Sequence, residues 1–245
     1  LLDVSSPTIN DAQGDFAGWL STNTFLCDVG FADPPGSGLS KLEARSATEA
    51  GASPASPTPW VTVLSSIGSD SYSGGWRLPQ ALWELMPEGA SNYISIRVTD
   101  NVGNSSTTAD LFSLVKDITP PAITSSYVSP AGWLADYPGD ASGLHFEDPL
   151  SGLARLQYSV SASKGYADGA VIPWTDLAGF TVGSSSQDVT ISYNFNQLAN
   201  AASNYFSLRA VDVAGSTRTL VDAFGIGKSV SGPTVLISTP SGGYL

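Results

Sequence analysis

The chain is written twice. Phe31-Ala32-Asp33-Pro34-Pro35-Gly36-Ser37-Gly38-Leu39 returns as Phe146-Glu147-Asp148-Pro149-Leu150-Ser151-Gly152-Leu153, and Pro59-Trp60 returns as Pro173-Trp174. Gly18-Trp19-Leu20 reappears as Gly132-Trp133-Leu134, and the run Ser91–Asp100 as Ser203–Asp212. The spacing between partners stays between 112 and 115 residues throughout. A repeat of that length is an ordinary domain, so the chain should fold as tandem copies of one unit. The openings agree. Ser6-Pro7-Thr8-Ile9 and Pro120-Pro121-Ala122-Ile123 start two units, and Gly232-Pro233-Thr234-Val235 starts a third. We divide the chain into repeat one (1–119), repeat two (120–231) and the first strand of a third (232–245), and read it as a window on a longer array.

Inside a repeat the pattern is strand and turn. Leu153–Val160, Val189–Tyr193 and Tyr205–Val211 alternate apolar and polar residues, as half-buried strands do. Gly, Ser, Asn and Asp clusters separate them. Repeat two divides into seven strands, near 122–128, 141–147, 153–161, 171–177, 187–195, 204–212 and 217–226. Seven short strands in such a unit point to an immunoglobulin-like sandwich, so the expected fold is all-β: two tandem sandwiches and the start of a third. Gln80–Met86 has helix-forming residues, but its sister Ser192–Leu198 reads as strand, so both are expected to be strand followed by a turn.

The order of the repeated motifs resembles the Ig-like repeats of large bacterial surface proteins. The residues that carry the resemblance are Asp148-Pro149-Leu150-Ser151-Gly152-Leu153, Tyr158-Ser159, Trp174 and Tyr205 through Gly215. Two departures stand out: Ser216 replaces the Asn that repeat one keeps at Asn104, and Leu42-Glu43-Ala44 replaces the Tyr-Ser pair. The resemblance implies an extracellular or cell-surface protein whose repeats serve as stalks, spacers or adhesive modules. Its partners would be neighbouring repeats of the same longer chain, together with a cell-surface glycan or protein.

Composition removes several functions. Hydrophobic residues make up 42% and charged ones 13%, enough apolar material for a core. The net charge of −12 offers no basic footprint for nucleic acid. No apolar run is long enough for a membrane span. One Cys forbids an internal disulfide, and one His leaves no two-imidazole site and no zinc spacing. Cys27 lies far in sequence from His145, so no thiol–imidazole pair is expected. No nucleophile elbow and no phosphate loop occurs. The expectation is a chain with no catalytic residues and no organic cofactor.

The remaining candidates are aromatic and acidic. Trp60 and Trp174, matched between repeats, are expected to plug the sandwich cores. Trp76 has no aromatic partner in repeat two and sits beside Tyr72, so this pair is the candidate ligand platform. Asp100 and Asp212 open matched turns that join apolar strands, and Asp33 and Asp148 open matched Asp-Pro turns; all four suit turn chemistry, with ligation as the second role of Asp33 and Asp148. Calcium, which takes hard oxygens, is the one ion these turns would suit, and Asp100, Asp212 and the linker residue Asp117 are its candidate ligands. Two further readings stand beside the spacer: an accessory carbohydrate-binding module of a secreted polysaccharide-active enzyme, and a calcium-stiffened adhesin array.

Overall fold

The computed structural model describes residues 2–11, 13–51, 53–167 and 169–232. Apart from Gly232, the expected opening of a third repeat lies outside the described residues.

The first set of elements runs β1 (Thr8–Asp11), β2 (Trp19–Leu20), β3 (Val29–Ala32), β4 (Leu39–Ala47), β5 (Val61–Ser65), β6 (Ser71–Tyr72), α1 (Gln80–Leu85), β7 (Ser91–Asp100) and β8 (Ser105–Lys116). The second runs β9 (Ala122–Ser125), β10 (Trp133–Leu134), β11 (Ala141–Glu147), β12 (Leu153–Ser161), β13 (Ile172–Asp176), β14 (Ser186–Ile191), a 3-10 turn (Phe195–Gln197), β15 (Ala201–Asp212) and β16 (Thr217–Lys228). Each set forms one three-stranded and one five-stranded sheet. The orders β1-β3-β6 and β2-β8-β7-β4-β5 recur as β9-β11-β14 and β10-β16-β15-β12-β13. The short strands β2 and β10 join the last strand of their set in parallel, so the chain changes sheet soon after it enters each sandwich.

Alternation drives both cores. On β4, Leu42 and Ala44 turn inward, and on β7 Ile94, Ile96 and Val98 do the same. Leu156, Tyr158 and Val160 of β12 and Phe206, Leu208 and Ala210 of β15 repeat this in the second sandwich. There Phe206 is wholly buried and stacks on Phe224 with ring centres 4.5 Å apart. The two buried clusters run from Cys27 to Leu114 and from Ala141 to Ile226 and share no residue, so each sandwich has its own core.

Two expectations change. Gln80–Leu85 is a helix, not a strand, and its sister is the 3-10 turn. Gln-Ala-Leu-Trp-Glu-Leu contains no β-branched residue and takes its intrinsic helical preference there, with Leu82 and Trp83 buried. A buried lysine closes the end of each turn: Lys116 Nζ donates to the Trp83 and Met86 carbonyls, and Lys228 Nζ to those of Asn196 and Leu198. These carbonyls lie in or just after the last turn, where a helix leaves acceptors open; that of Trp83 also accepts from the Met86 amide.

The second change concerns Trp60 and Trp174, which do not plug the cores. Both are half-buried and lie on the outer side of their five-stranded sheets. The Arg45 and Arg97 guanidinium groups each lie 4.7 Å from the Trp60 ring centre, and Arg209 lies 4.2 Å from that of Trp174. Arg97 in turn donates to Glu43, and Arg209 to Gln157. Arg45 and Glu43 alternate with the inward Leu42 and Ala44, so the indole covers a polar ladder rather than filling the interior.

Phe206→Ala should therefore cost the second sandwich about 3–5 kcal/mol, as expected for emptying a buried aromatic site. Trp174→Ala should cost only about 1–2 kcal/mol, from lost cation–π contact and partial burial. Denaturant unfolding followed by tryptophan-independent circular dichroism checks this. Equal losses would place Trp174 in the core.

Candidate functional site

Of the aromatic candidates, Trp76 is a core residue. It is 3% exposed, its Nε1 donates to the Val29 carbonyl, and its backbone forms a bridge to Cys27. Tyr72 is half-buried and stacks on Phe31 with ring centres 5.1 Å apart. The two aromatics therefore offer no exposed platform and do not fit the ligand role expected of them. Trp76 packs on Phe112 with ring centres 6.5 Å apart and has no aromatic counterpart in repeat two, where the matching edge differs: β6 has two residues where β14 has six, and Asp188 of β14 binds the His145 ring. Cys27 is fully buried, and that burial pushes its thiol up to about 12.

The acidic candidates end in two places. Asp117 and Asp212 meet, together with Asp148. Asp100 lies in the other repeat, with Asp3 and Asp33. In each group one carboxylate oxygen per residue lies within 4.8 Å of the others. Asp3 precedes Asp117 by 114 residues, Asp33 precedes Asp148 by 115 and Asp100 precedes Asp212 by 112, so these are sister sites. In the sequence Asp33 and Asp148 are turn residues first and ligands second, and nothing near Asp3 marks it as a ligand. Recurrence of an aspartate at three matched positions is the signal that would have found the full groups.

Local backbone sets each carboxylate. Asp148 opens the turn before β12, and its Oδ1 accepts from the amides of Leu150 (3.2 Å) and Gly152 (2.8 Å). Gly152 holds φ +83°, and a Cβ there would stand 2.5 Å from the Gly183 carbonyl oxygen, so only glycine fits. Asp212 ends β15, where its Oδ1 accepts from the Ser216 amide at 2.7 Å. Asp117 comes from the linker: its Oδ1 accepts from Thr119 and its Oδ2 from Ser151, both at 3.0 Å. Its own amide donates back to Leu20 of the first sandwich.

That last residue joins the two sandwiches, and other contacts sit around it. Ser21 Oγ donates to the Ala214 carbonyl at 2.7 Å. Glu88 accepts from the Ile118 amide and the Thr119 hydroxyl, both at 2.9 Å. Leu150 lies so close to Gly89 that a Cβ there would come within 2.8 Å of it.

The second site is the drier of the two. Asp117, Asp148 and Asp212 are 0%, 2% and 1% exposed, and no lysine or arginine forms an ion pair with any of them among the described residues. Two unit charges this close repel by roughly 3 kcal/mol at an effective dielectric near 20. Burial, with the neighbouring Asp117 and Asp148 charges added, pushes Asp212 up to about 6. Burial and the Asp117 charge also raise Asp148. The sister site is better satisfied. Asp100 Oδ1 accepts from the amides of Val102, Gly103 and Asn104, and Asn104 Nδ2 donates to Oδ2 at 2.8 Å. In repeat two Ser216 stands at the Asn104 position, and Asp212 Oδ2 is buried with no hydrogen-bond partner.

No family model and no curated protein matches this chain. Among solved structures it is similar to the fibronectin(III)-like modules of Clostridium thermocellum CbhA at 10% identity, with 95% of this chain and 100% of that chain covered and a TM-score of 0.31. It is also similar to CBD12 from CALX1.2 at 13% identity, covering 88% and 82%, with a TM-score of 0.22. The β-sandwich assignment stands on the sheets themselves.

A raised carboxyl pKa binds extra protons in the folded state, so stability should fall as pH rises through that range. In chelator-treated buffer the second sandwich should gain about 1–3 kcal/mol between pH 7.5 and 5, since Asp212 moves from the ordinary 3.8 to about 6. Asp212→Asn should abolish most of that gain and raise stability at pH 7.5. Urea unfolding at both pH values reads it out, and a flat profile for the parent chain would contradict the described burial.

Proposed function

We propose that the chain is a non-catalytic structural module, a pair of Ig-like repeats that acts as a stalk or spacer in a longer extracellular or cell-surface protein. The repeat boundaries we assign fall at 119/120 and 231/232, and the first partners are neighbouring repeats of the same chain. The observation that carries the reading is Asp117. A linker residue of a loosely tethered pair would be hydrated, yet Asp117 is fully buried, with its amide bonded to Leu20 and its carboxylate to Ser151. A buried linker restricts the motion that a small inter-domain contact would otherwise permit. Pro120 and Pro121 extend the restriction, because each fixes φ and biases its predecessor to extended geometry.

The acidic surface suits this role. Repeat one carries 13 acids and 5 bases, and repeat two 9 acids and 5 bases, so neighbouring arrays repel and remain dispersed. The carbohydrate-module reading has lost its platform with the burial of Trp76.

Small-angle scattering on the purified chain tests the proposal. An elongated particle, with a maximum dimension near the sum of two sandwich lengths, is the expected result. Asp117→Ala should broaden the distance distribution by freeing the joint. A compact particle with the sandwiches side by side would refute a spacer, as would turnover of any substrate abolished by a single substitution.

A further inference from the structure

We propose that Asp117, Asp148 and Asp212 bind one divalent cation of calcium's chemistry, placed where the linker enters the second sandwich. Three observations lead there. The three carboxylates come from the linker, the Asp-Pro turn and the β15 turn, and converge to within 4.8 Å although each is at most 2% exposed. No basic side chain pairs with them among the described residues. Asp212 Oδ2 is buried without any hydrogen-bond donor, whereas its sister oxygen in repeat one is held by the Asn104 amide. The last observation is independent of the clustering. One repeat fills the oxygen's coordination with a side-chain donor, and the other, by exchanging Asn for Ser, leaves it open.

The donor set selects the ion. Only oxygens are present, and the one His and the one Cys belong elsewhere: His145 binds Asp188, and Cys27 lies in the first core. That excludes a site built for zinc, which prefers nitrogen and sulfur. Several carboxylates in a closed setting suit calcium, which accepts irregular oxygen ligation. Magnesium demands strict octahedral geometry and keeps its water. Oxygens already engaged with backbone amides retain a free lone pair, so ligation leaves the turns intact. Because Asp117 belongs to the linker, the ion would tie linker and second sandwich together. This inference does not depend on the spacer reading: a chain could bind the ion and still flex, or hold its joint without one.

The test is calcium titration of the chelator-treated, full 245-residue chain by isothermal calorimetry, with thermal unfolding in parallel. The expected result is one site per chain below 100 micromolar, by analogy with oxygen-ligand calcium sites of moderate affinity. The melting of the second sandwich should rise with calcium, and magnesium at equal concentration should raise it far less. Asp212→Asn should weaken binding at least tenfold while the chain stays folded by circular dichroism. Ser216→Asn, which imports the Asn104 donor and removes no carboxylate, should also weaken it at least tenfold. Asp176→Asn, on the exposed Arg155 pair, should leave it unchanged. No saturable binding up to several millimolar overturns the proposal, as does binding indifferent to both Asp212→Asn and Ser216→Asn. Tighter binding of magnesium overturns the choice of ion.

Discussion

A carboxylate on the linker with no access to water is the constraint around which the two sandwiches are joined. Asp117 follows the last strand of the first sandwich directly, so its amide still belongs to that fold and donates to Leu20. Its side chain already belongs to the second fold, where Ser151 donates to it. A buried charge needs donors or a counter-charge, and here the donors are backbone amides of turns that must be formed first. The turns in turn depend on Gly152 and on the pairing of β12 with β15. Folding of the second sandwich and placement of the linker are thus one event, and Ser21–Ala214 and Glu88–Thr119 lie around the same point.

The two repeats differ most informatively where they share a framework. Asp3 and Asp117 occupy the same place, and Asp3 Oδ2 accepts from Ser37 as Asp117 Oδ2 accepts from Ser151. Asp100 is fully satisfied by three amides and the Asn104 side chain. Asp212 is not: Ser216 stands where repeat one has Asn104, and the buried Asp212 Oδ2 has no hydrogen-bond partner. One substitution at a matched position therefore separates a cluster whose β-turn carboxylate is held on both oxygens from one in which an oxygen is left open.

The architecture is legible because both of its signals lie in the residue pattern itself. The repeat is visible by inspection, and period-two alternation marks the long strands: β12 occupies the expected 153–161, and β15 ends at the expected Asp212. What the sequence conceals depends on contacts across strands. Trp60 looks like a core residue until Arg45 and Arg97, from two different strands, are placed against it. Trp76 looks unpartnered until the short β6 edge turns it inward toward Val29. The acidic sites were half legible. Asp117, Asp100 and Asp212 stand out in the sequence, but Asp100 belongs to the other repeat, and Asp148 looks first like a turn residue because the turn and the cluster use the same carboxylate. The helix at Gln80–Leu85 follows local propensity, which the strand-like sister segment hides.

The central claim is that the linker carboxylate is seated inside the second sandwich. Amide hydrogen exchange measured residue by residue in the intact chain tests it most directly. The account predicts slow exchange at Ser151 and Thr119, whose amides donate to Asp117, and fast exchange at both in Asp117→Ala, with the core amide of Leu208 unchanged. Exchange at Ser151 in the parent chain as rapid as in an open loop would mean that Asp117 is not seated there, and the account of the joint would fail.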